Sequence, residues 1–363
     1  MKFLILITLF TQMAWAKNRS YTSEGKSFSF EHILERDDVI WGFDFLPNGN
    51  IIFTERNGAM LVLDMKTKKA SAITGVPAVN AVGQGGLLDV RVHPDFAKNG
   101  LIFFTFSLPL GKGEATTALG RGVLKDNKLT DVKTLFSAHK PNDNDIHYGS
   151  RIIFDGDGHV IFSVGDRDKR DRAQDTAYHQ GKMIRLNEDG SVPKDNPFVG
   201  KKDAKPEIWS VGHRSPQGLV MRPGTKEIWE AEMGPRGGDE VNVIQAGKNY
   251  GWPLVTYGRE YYGPKIGVQE KAGFEAPVAH WVPSISPSAL TFYTGDKFPA
   301  WKGNAFLATL SGEHIHRLVI DGLRVIKEEK LMDKEGIRFR NVRTGPDGYL
   351  YYSTDEGKIG VLK

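Results

Sequence analysis

The chain has 363 residues, of which 40% are hydrophobic and 25% charged, and 48 basic against 44 acidic residues leave a net charge of +4. This even balance excludes an intrinsically disordered chain and gives no nucleic-acid-binding signature. The sequence has no cysteine, which excludes a disulfide scaffold, an iron–sulfur centre, a cysteine-ligated zinc site and a thiol nucleophile.

The first sixteen residues predict a secretory signal peptide. Lys2 precedes an apolar run over residues 3–10, and Ala14-Trp15-Ala16 forms a small-x-small cleavage site. The run is shorter than the roughly 20 apolar residues that a membrane-spanning helix needs, and a buried N-terminal strand is the alternative. We expect a periplasmic or secreted protein without stable membrane insertion, whose mature chain is a single domain over residues 17–363.

Six segments repeat one pattern, in which alternating apolar residues lead through a turn rich in Pro, Asn, Asp and Gly into a second β-rich run. They are residues 42–53, 89–104, 151–162, 218–229, 288–307 and 341–352. Each predicts a β-hairpin, and six four-stranded sheets around an axis make an all-β, six-bladed β-propeller. The many tight turns also account for 41 glycines. A degenerate seventh blade in 168–217 or 250–287, and a β-sandwich, remain alternatives.

Three polar residues next to these hairpins are candidates for catalysis. His147 precedes the third hairpin and can act as a general base near neutral pH, or can simply hydrogen-bond in a turn. Asp166 closes the same hairpin and can orient His147, or can cap its own turn. Arg214 offers a fork of donors to an anionic or quinone oxygen, or lies solvated in a surface loop.

Two further groups suggest ligand binding. The oxygen-rich segments 232–242 and 249–253 expose carbonyl and carboxylate oxygens of the kind that Ca²⁺ takes, although they lack the EF-hand pattern and can be plain acidic turns. Arg338 and Arg340 alternate at a strand start, so they face one side and can grip a polycarboxylate or form an exposed strand face. Motifs for dinucleotides, nucleotide phosphates, HExxH zinc and the serine-hydrolase elbow are absent.

The order of short motifs along the chain carries a family resemblance. The motifs occupy residues 83–89, 93–96, 147–151, 165–166, 181–186, 193–198, 212–218, 234–235, 239–240, 248–253, 338–343 and 345–348. In this order the sequence resembles the soluble pyrroloquinoline-quinone (PQQ) dependent glucose/sorbosone dehydrogenases, most closely their aldose sugar dehydrogenase branch, from about residue 38 to 362.

The resemblance implies a six-bladed propeller that oxidises the anomeric C1 hydroxyl of an aldose to the lactone, with hydride transfer to PQQ. His147 matches the catalytic base, Asp166 its carboxylate partner, and Arg214 an active-site position. The cofactor-contacting positions match Gln84, Arg214, Ser215, Arg338, Arg340 and, more loosely, Tyr261. The carbonyls of Gly234 and Pro235 match ligands of a catalytic Ca²⁺, and Glu240 and Tyr250 match a second, structural Ca²⁺ site. An unidentified electron acceptor completes the partners, and the protein is expected as a monomer or homodimer.

Two departures from the family pattern concern the cofactor. Ser215 stands where family members usually carry Asn, and the stretch around Ser311 lacks the Lys that many carry and adds Glu313. A lost charge-assisted hydrogen bond is worth about 1.5–3 kcal/mol, so PQQ affinity is expected to fall by about one to two powers of ten. A non-catalytic binding propeller with an eroded site, and a Ca²⁺-dependent propeller lactonase or esterase, remain the alternatives.

Overall fold

The computed structural model describes residues 19–139 and 144–363. The predicted signal peptide and the predicted start at Lys17 lie outside the described residues. Within the described ranges, none of the helices has the length and apolar character needed to cross a membrane.

Six four-stranded antiparallel sheets make up nearly the whole structure. The described residues begin with a hairpin, β1 (Tyr21–Ser23) and β2 (Lys26–Phe28), followed by β3 (Phe30–Glu35). Blade 1 consists of β4 (Ile40–Phe45), β5 (Ile51–Glu55), β6 (Met60–Leu63) and β7 (Ala70–Ala72). Blade 2 consists of β8 (Leu87–Val92), the short helix α1 (Phe96–Asn99), β9 (Leu101–Gly111), β10 (Glu114–Lys125) and β11 (Lys128–Ser137). Blade 3 consists of β12 (Gly149–Phe154), β13 (His159–Val164), a 3₁₀ turn (Arg170–Ala173), β14 (Lys182–Asn187) and β15 (Ile208–Val211).

The remaining three blades close the ring. Blade 4 consists of β16 (Pro216–Met221), β17 (Ile228–Glu232), β18 (Asp239–Ile244) and β19 (Ala279–Trp281). Blade 5 consists of β20 (Pro287–Phe292), a 3₁₀ turn (Pro299–Trp301), β21 (Ala305–Thr309), β22 (Ile315–Asp321) and β23 (Arg324–Leu331). Blade 6 consists of β24 (Phe339–Thr344), β25 (Leu350–Thr354) and β26 (Lys358–Leu362), and β3 from the N-terminal region supplies its outermost strand.

The six predicted hairpins are confirmed, because each forms the two innermost strands of one blade. The seventh-blade alternative is wrong: segment 168–217 supplies the two outer strands of blade 3, and segment 250–287 supplies a long loop and the outer strand of blade 4. The β-sandwich alternative is wrong as well. The innermost strands contact one another in sequence around the ring, and β24 returns to β4. The hydrophobic core lies between the faces of adjacent blades, as where Phe103 of blade 2 clusters with Phe162 of blade 3.

A single arginine ties the six innermost strands together at the axis. Arg151 of β12 donates to the carbonyl oxygens of Gln217 at 2.9 Å, Ser288 at 2.8 Å, Arg340 at 2.8 Å and Trp41 at 3.3 Å. It also pairs with the Asp89 carboxylate at 3.0 Å, so all six blades contribute. Burial lowers the pKa of Arg151 to about 10, and the charge of Asp89 opposes this shift. The guanidinium is therefore charged at neutral pH.

Arg151 divides the axial channel into two ends. We call the end at which the innermost strands begin the near mouth, and it carries the loops with Gln84, His147, Arg214 and Arg338. We call the end at which they finish the far mouth, and its rim includes Asp44, Arg91, Phe154, Met221 and Arg343.

Candidate active site

A histidine–aspartate pair lies at the near mouth, where blade 3 begins. His147 Nδ1 lies 2.7 Å from Asp166 Oδ1, and both side chains are buried. His147 lies two residues before β12 and Asp166 two residues after β13, so the antiparallel pairing of these strands brings the two residues together. No residue in the described ranges hydrogen-bonds to His147 Nε2. With its Nδ1 proton donated to Asp166, the neutral ring therefore presents Nε2 as a proton acceptor.

Asp166 is held as a carboxylate by several donors. Its Oδ2 accepts a hydrogen bond from Trp252 Nε1 at 2.7 Å, and its Oδ1 accepts one from the Asp168 amide at 2.9 Å. Burial raises the pKa of Asp166, but the hydrogen bond and charge of His147, with the charge of Arg214, outweigh it and hold the pKa below its ordinary value. Asp166 is therefore ionised at neutral pH and can stabilise a proton gained by His147.

The backbone around His147 is constrained. His147 has a φ of 51°, in the left-handed region that costs energy for a residue with a side chain. Its amide donates to Gln84 Oε1 at 2.8 Å, and its carbonyl lies so close to Gly165 that a Cβ there would come within 2.0 Å of it. Gln84, predicted as a cofactor contact, thus also fixes the His147 backbone.

Arg214 lies on the neighbouring blade, just before β16. Its amide donates to Glu232 Oε2 at 2.6 Å, and its Nη1 donates to the carbonyls of Met233 at 2.9 Å and Gly234 at 3.0 Å. Its guanidinium also lies 5.5 Å from the Trp252 ring centroid. Ser215 beside it is buried. The hydrogen bonds and the ring fix Arg214 next to the His147–Asp166 pair.

Arg338 and Arg340 share one carboxylate, which confirms that they face the same side. Arg340 Nε and Arg338 Nε lie 2.7 Å and 3.1 Å from the oxygens of Asp355. Burial raises the pKa of Asp355, but the two arginines outweigh it and lower the pKa overall. Asp355 therefore holds the two guanidiniums together at this part of the near mouth, and Glu356 Oε1 accepts from the Arg338 amide at 3.3 Å.

The turn that follows β17 contains the predicted carbonyl ligands, Gly234 and Pro235. A Cβ on Gly234 would lie 2.3 Å from the Gly237 carbonyl oxygen, so only glycine fits this turn. The Gly234 amide donates to Asp239 Oδ1 at 2.9 Å, and the Gly234 carbonyl accepts from Arg214 Nη1 at 3.0 Å. A carbonyl oxygen has two lone pairs, so the Arg214 hydrogen bond leaves one for a cation.

A buried group of carboxylates surrounds Glu240, the predicted ligand of a structural cation. His213, Glu230 and Glu232 bring their ligand atoms within 4.8 Å of one another, and Glu240 pairs with Glu232 across β17 and β18. Burial, then the charge of Glu232, raises the pKa of Glu230 and Glu240 well above the ordinary value. The Tyr250 phenol donates to the Val243 carbonyl at 2.7 Å and accepts from the Gln245 amide, so only its backbone carbonyl is open to a metal.

The structure thus links His147, Asp166, Gln84 and Arg214 through direct contacts, and it pairs Arg338 with Arg340. Tyr261 is 67% exposed in the loop after blade 4's third strand, where its carbonyl accepts from Arg236 Nη1 at 3.1 Å. Two contributors carried no role in the sequence analysis. Trp252 lay within a family motif, but the sequence did not predict that its indole contacts Asp166. Asp355 lay in an ordinary turn after a strand.

Comparisons with known proteins agree on one family. The family model described as "Glucose / Sorbosone dehydrogenase" matches residues 37–363. Aldose sugar dehydrogenase YliI of Escherichia coli (strain K12) is 41% identical over 339 residues, which is 92% of this chain and 91% of that protein. Quinoprotein glucose dehydrogenase B of Acinetobacter calcoaceticus is 27% identical, over 95% of this chain and 87% of that protein.

Solved structures give the same result. The apo form of the soluble aldose sugar dehydrogenase from Escherichia coli superposes with a TM-score of 0.89 at 41% identity, over 93% of this chain and 99% of that chain. The PQQ-bound form of aldose sugar dehydrogenase from Streptomyces coelicolor superposes with a TM-score of 0.77 at 25% identity, over 93% and 98%. The chain therefore belongs to the glucose/sorbosone dehydrogenase family, and it is an oxidoreductase of the quinoprotein sugar dehydrogenase type.

Proposed function

We propose that this protein is a PQQ- and Ca²⁺-dependent aldose dehydrogenase that oxidises the anomeric C1 hydroxyl of its sugar to the lactone. The observation that carries the proposal is the His147–Asp166 pair, whose Nδ1–Oδ1 distance is 2.7 Å, beside Arg214 at the near mouth. The relatives named aldose sugar dehydrogenase and quinoprotein glucose dehydrogenase support the substrate class and the cofactor.

In the proposed reaction, the residues of this chain handle the proton. His147 Nε2 accepts the proton of the C1 hydroxyl as the hydrogen on C1 leaves with its electron pair, so the sugar loses two electrons and becomes a lactone. Asp166 stabilises the imidazolium through Nδ1, and the Trp252 indole holds the second oxygen of Asp166 in place. Arg214 supplies a fixed positive charge where negative charge gathers.

The near mouth has the residues to hold both predicted cofactors. Arg214, Arg338 and Arg340 carry more positive charge than Asp355 neutralises, which fits a tricarboxylate such as PQQ. The Gly234 and Pro235 carbonyls and the buried Glu240 are hard oxygen donors, which fits Ca²⁺ at the two predicted sites. When bound, PQQ supplies the two-electron acceptor and Ca²⁺ a Lewis acid.

An absorbance titration tests the proposal directly. Adding PQQ with Ca²⁺ to the purified protein should produce a saturable quinone band, and the loaded protein should oxidise aldoses with an artificial electron acceptor. Absence of PQQ binding at micromolar cofactor with Ca²⁺ present would overturn it. Lactone hydrolysis without PQQ would instead favour the lactonase alternative.

Three further expectations belong to the same proposal. They remain predictions: the removal of residues 1–16 on export, a single domain from residue 17 to 363, and a monomeric or homodimeric state. Mass spectrometry of the protein recovered from the periplasm or medium tests the first of these. A mature chain that does not begin at Lys17 would contradict it.

A further inference from the structure

The far mouth is a cavity of about 610 Å³ on the opposite side of Arg151 from the proposed active site. The ends of all six innermost strands line it, together with the turns that follow them. Part of its wall is apolar, with Phe45, Phe154 and Phe292, and the charged part consists of Asp44, Arg91 and Arg343.

Each carboxylate near the axis already has its own guanidinium. Asp44 Oδ2 lies 3.0 Å from Arg91 Nε and accepts from the Val92 amide at 3.0 Å, while Asp44 Oδ1 accepts from the Phe45 amide. Asp89 is paired with Arg151 at 3.0 Å. Among residues 19–139 and 144–363, three arginines and two carboxylates thus lie between the centre of the channel and the far mouth, and both carboxylates are engaged.

Arg343 is the third of these arginines. Within the two described ranges, its guanidinium forms no hydrogen bond and no ion pair, and its Nε is buried without an acceptor. Burial and the adjacent charge of Arg91 lower the pKa of Arg343, although an arginine remains protonated. A partly buried charge without a partner is costly, and an anion beside it recovers that cost.

The two carboxylates whose charges act on Arg343 are Asp44 and Asp89. Each is paired with another arginine, because Asp44 lies 3.0 Å from Arg91 Nε and Asp89 lies 3.0 Å from Arg151 Nη1. Neither carboxylate is therefore reserved for Arg343.

We propose that the far mouth is a second binding site, which takes a small oxyanion, carboxylate or phosphate, through the guanidinium of Arg343. Arg91 lies beside it but is paired with Asp44, so Arg343 carries the net positive charge, and the phenylalanines accept an apolar portion of the ligand. The site differs from the proposed cofactor site because Arg151 and its hydrogen bonds close the channel between them. It does not depend on the proposed sugar oxidation.

Calorimetric titration of the metal-free protein with inorganic phosphate, and separately with succinate, tests the site and distinguishes the two ligand classes. We expect saturable binding of one or both, weakened at least tenfold in Arg343→Met and changed less than twofold in the control Arg324→Met. Arg324 is the matched control because it is an exposed arginine on β23, the outermost strand of blade 5, and belongs to neither mouth. Equal binding by the parent protein and Arg343→Met, or no binding by the parent, overturns the proposal.

A second measurement uses the unaltered protein, so it does not depend on whether the variant folds. Succinate is titrated into the protein before and after it is loaded with PQQ and Ca²⁺. Binding that is unchanged by loading supports the far mouth, whereas binding abolished by PQQ assigns the anion to the near mouth and overturns the proposal. If PQQ does not bind, the comparison of the two variants still decides the question.

Discussion

Blade 3 carries two histidine–aspartate pairs with the same distance at its opposite ends. At the near mouth His147 Nδ1 lies 2.7 Å from Asp166, and at the far end His159 Nδ1 lies 2.7 Å from Asp155. The difference lies in what surrounds each ring. Arg185 Nη2 lies 3.0 Å from His159 Nδ1, so a cation already faces that imidazole, whereas no residue in the described ranges hydrogen-bonds to His147 Nε2. A short His–Asp distance alone therefore does not identify a catalytic base.

The backbone φ angles of the turns also differ between the two mouths. At the near mouth, the non-glycine residues His147, Arg167, Ser286 and Glu313 have φ values of 51–53°. In the far-end turns 46–50, 155–158, 222–227 and 345–349, every residue with a positive φ is a glycine, for which such values cost little. Outer turns at the far end also hold non-glycine residues with positive φ, namely Lys68, Asp126 and Asn127, so the contrast is confined to the turns next to the two mouths. Strained non-glycine backbone is typical of functional sites, which supports the proposed active site at the near mouth.

Replacing the two histidines separately gives the largest expected effect. His147→Ala should lower kcat with PQQ, Ca²⁺ and an artificial acceptor about a thousandfold, because general-base catalysis typically contributes 10²–10⁴-fold. PQQ affinity, measured by absorbance titration, should stay within about threefold. His159→Ala is the matched control and should keep kcat within about twofold. Equal losses in both variants, or none in His147→Ala, would remove His147 from the mechanism.

The second prediction concerns the arginine that separates the two mouths. Arg151→Met leaves the fully buried Asp89 without its partner, and breaking a buried ion pair in this way costs about 3–5 kcal/mol. Denaturant unfolding should show this loss. The double variant Asp89→Asn/Arg151→Met should recover part of it, because Asn removes the charge and keeps an acceptor for the Ile152 amide. A double variant less stable than Arg151→Met would contradict an electrostatic origin.

Sequence patterns predicted the repeating part of the structure better than its site. The alternation of apolar residues is local, so it identified all six hairpins, and the structure then places them as the innermost strands. The outer strands were less visible: β19 has three residues and follows a long loop, and β3 pairs with β26 from the opposite end of the chain. The family motifs predicted His147 and Asp166 as site residues, but the Trp252–Asp166 contact joins residues 86 positions apart and leaves no local pattern.

The third prediction tests that contact. Trp252→Phe removes the donor to Asp166 Oδ2, and a hydrogen bond to a charged group is worth about 1.5–3 kcal/mol. Because the donor stabilises the ionised carboxylate, its loss raises the pKa of Asp166, and the acid limb of the pH–kcat profile should move to higher pH by about one unit. Asp166 stays ionised at neutral pH after such a shift, so any fall in kcat there reflects poorer positioning of Asp166 and should be at most about tenfold.

Trp209→Phe is the control for the loss of an indole N–H. Trp209 Nε1 is buried without a hydrogen-bond partner in the described part of the chain, so its removal should leave the pH profile unchanged. If both variants lose activity without a shift of the acid limb, Trp252 contributes packing alone and does not position Asp166.

The smallest expected effect comes from adding a positive charge at the near mouth. Ser311 is exposed, and its hydroxyl lies 2.7 Å from that of Ser286 in a loop at this end of blade 5. An exposed ion pair is worth only about 0.2–1 kcal/mol, so Ser311→Lys should tighten PQQ binding by at most about fivefold, less than the absence of a lysine suggested from the sequence. The gain should diminish at high salt, because exposed pairs are screened. Titration at two ionic strengths measures both effects, and an unchanged PQQ affinity at low salt would show that this loop lies too far from the cofactor to contribute.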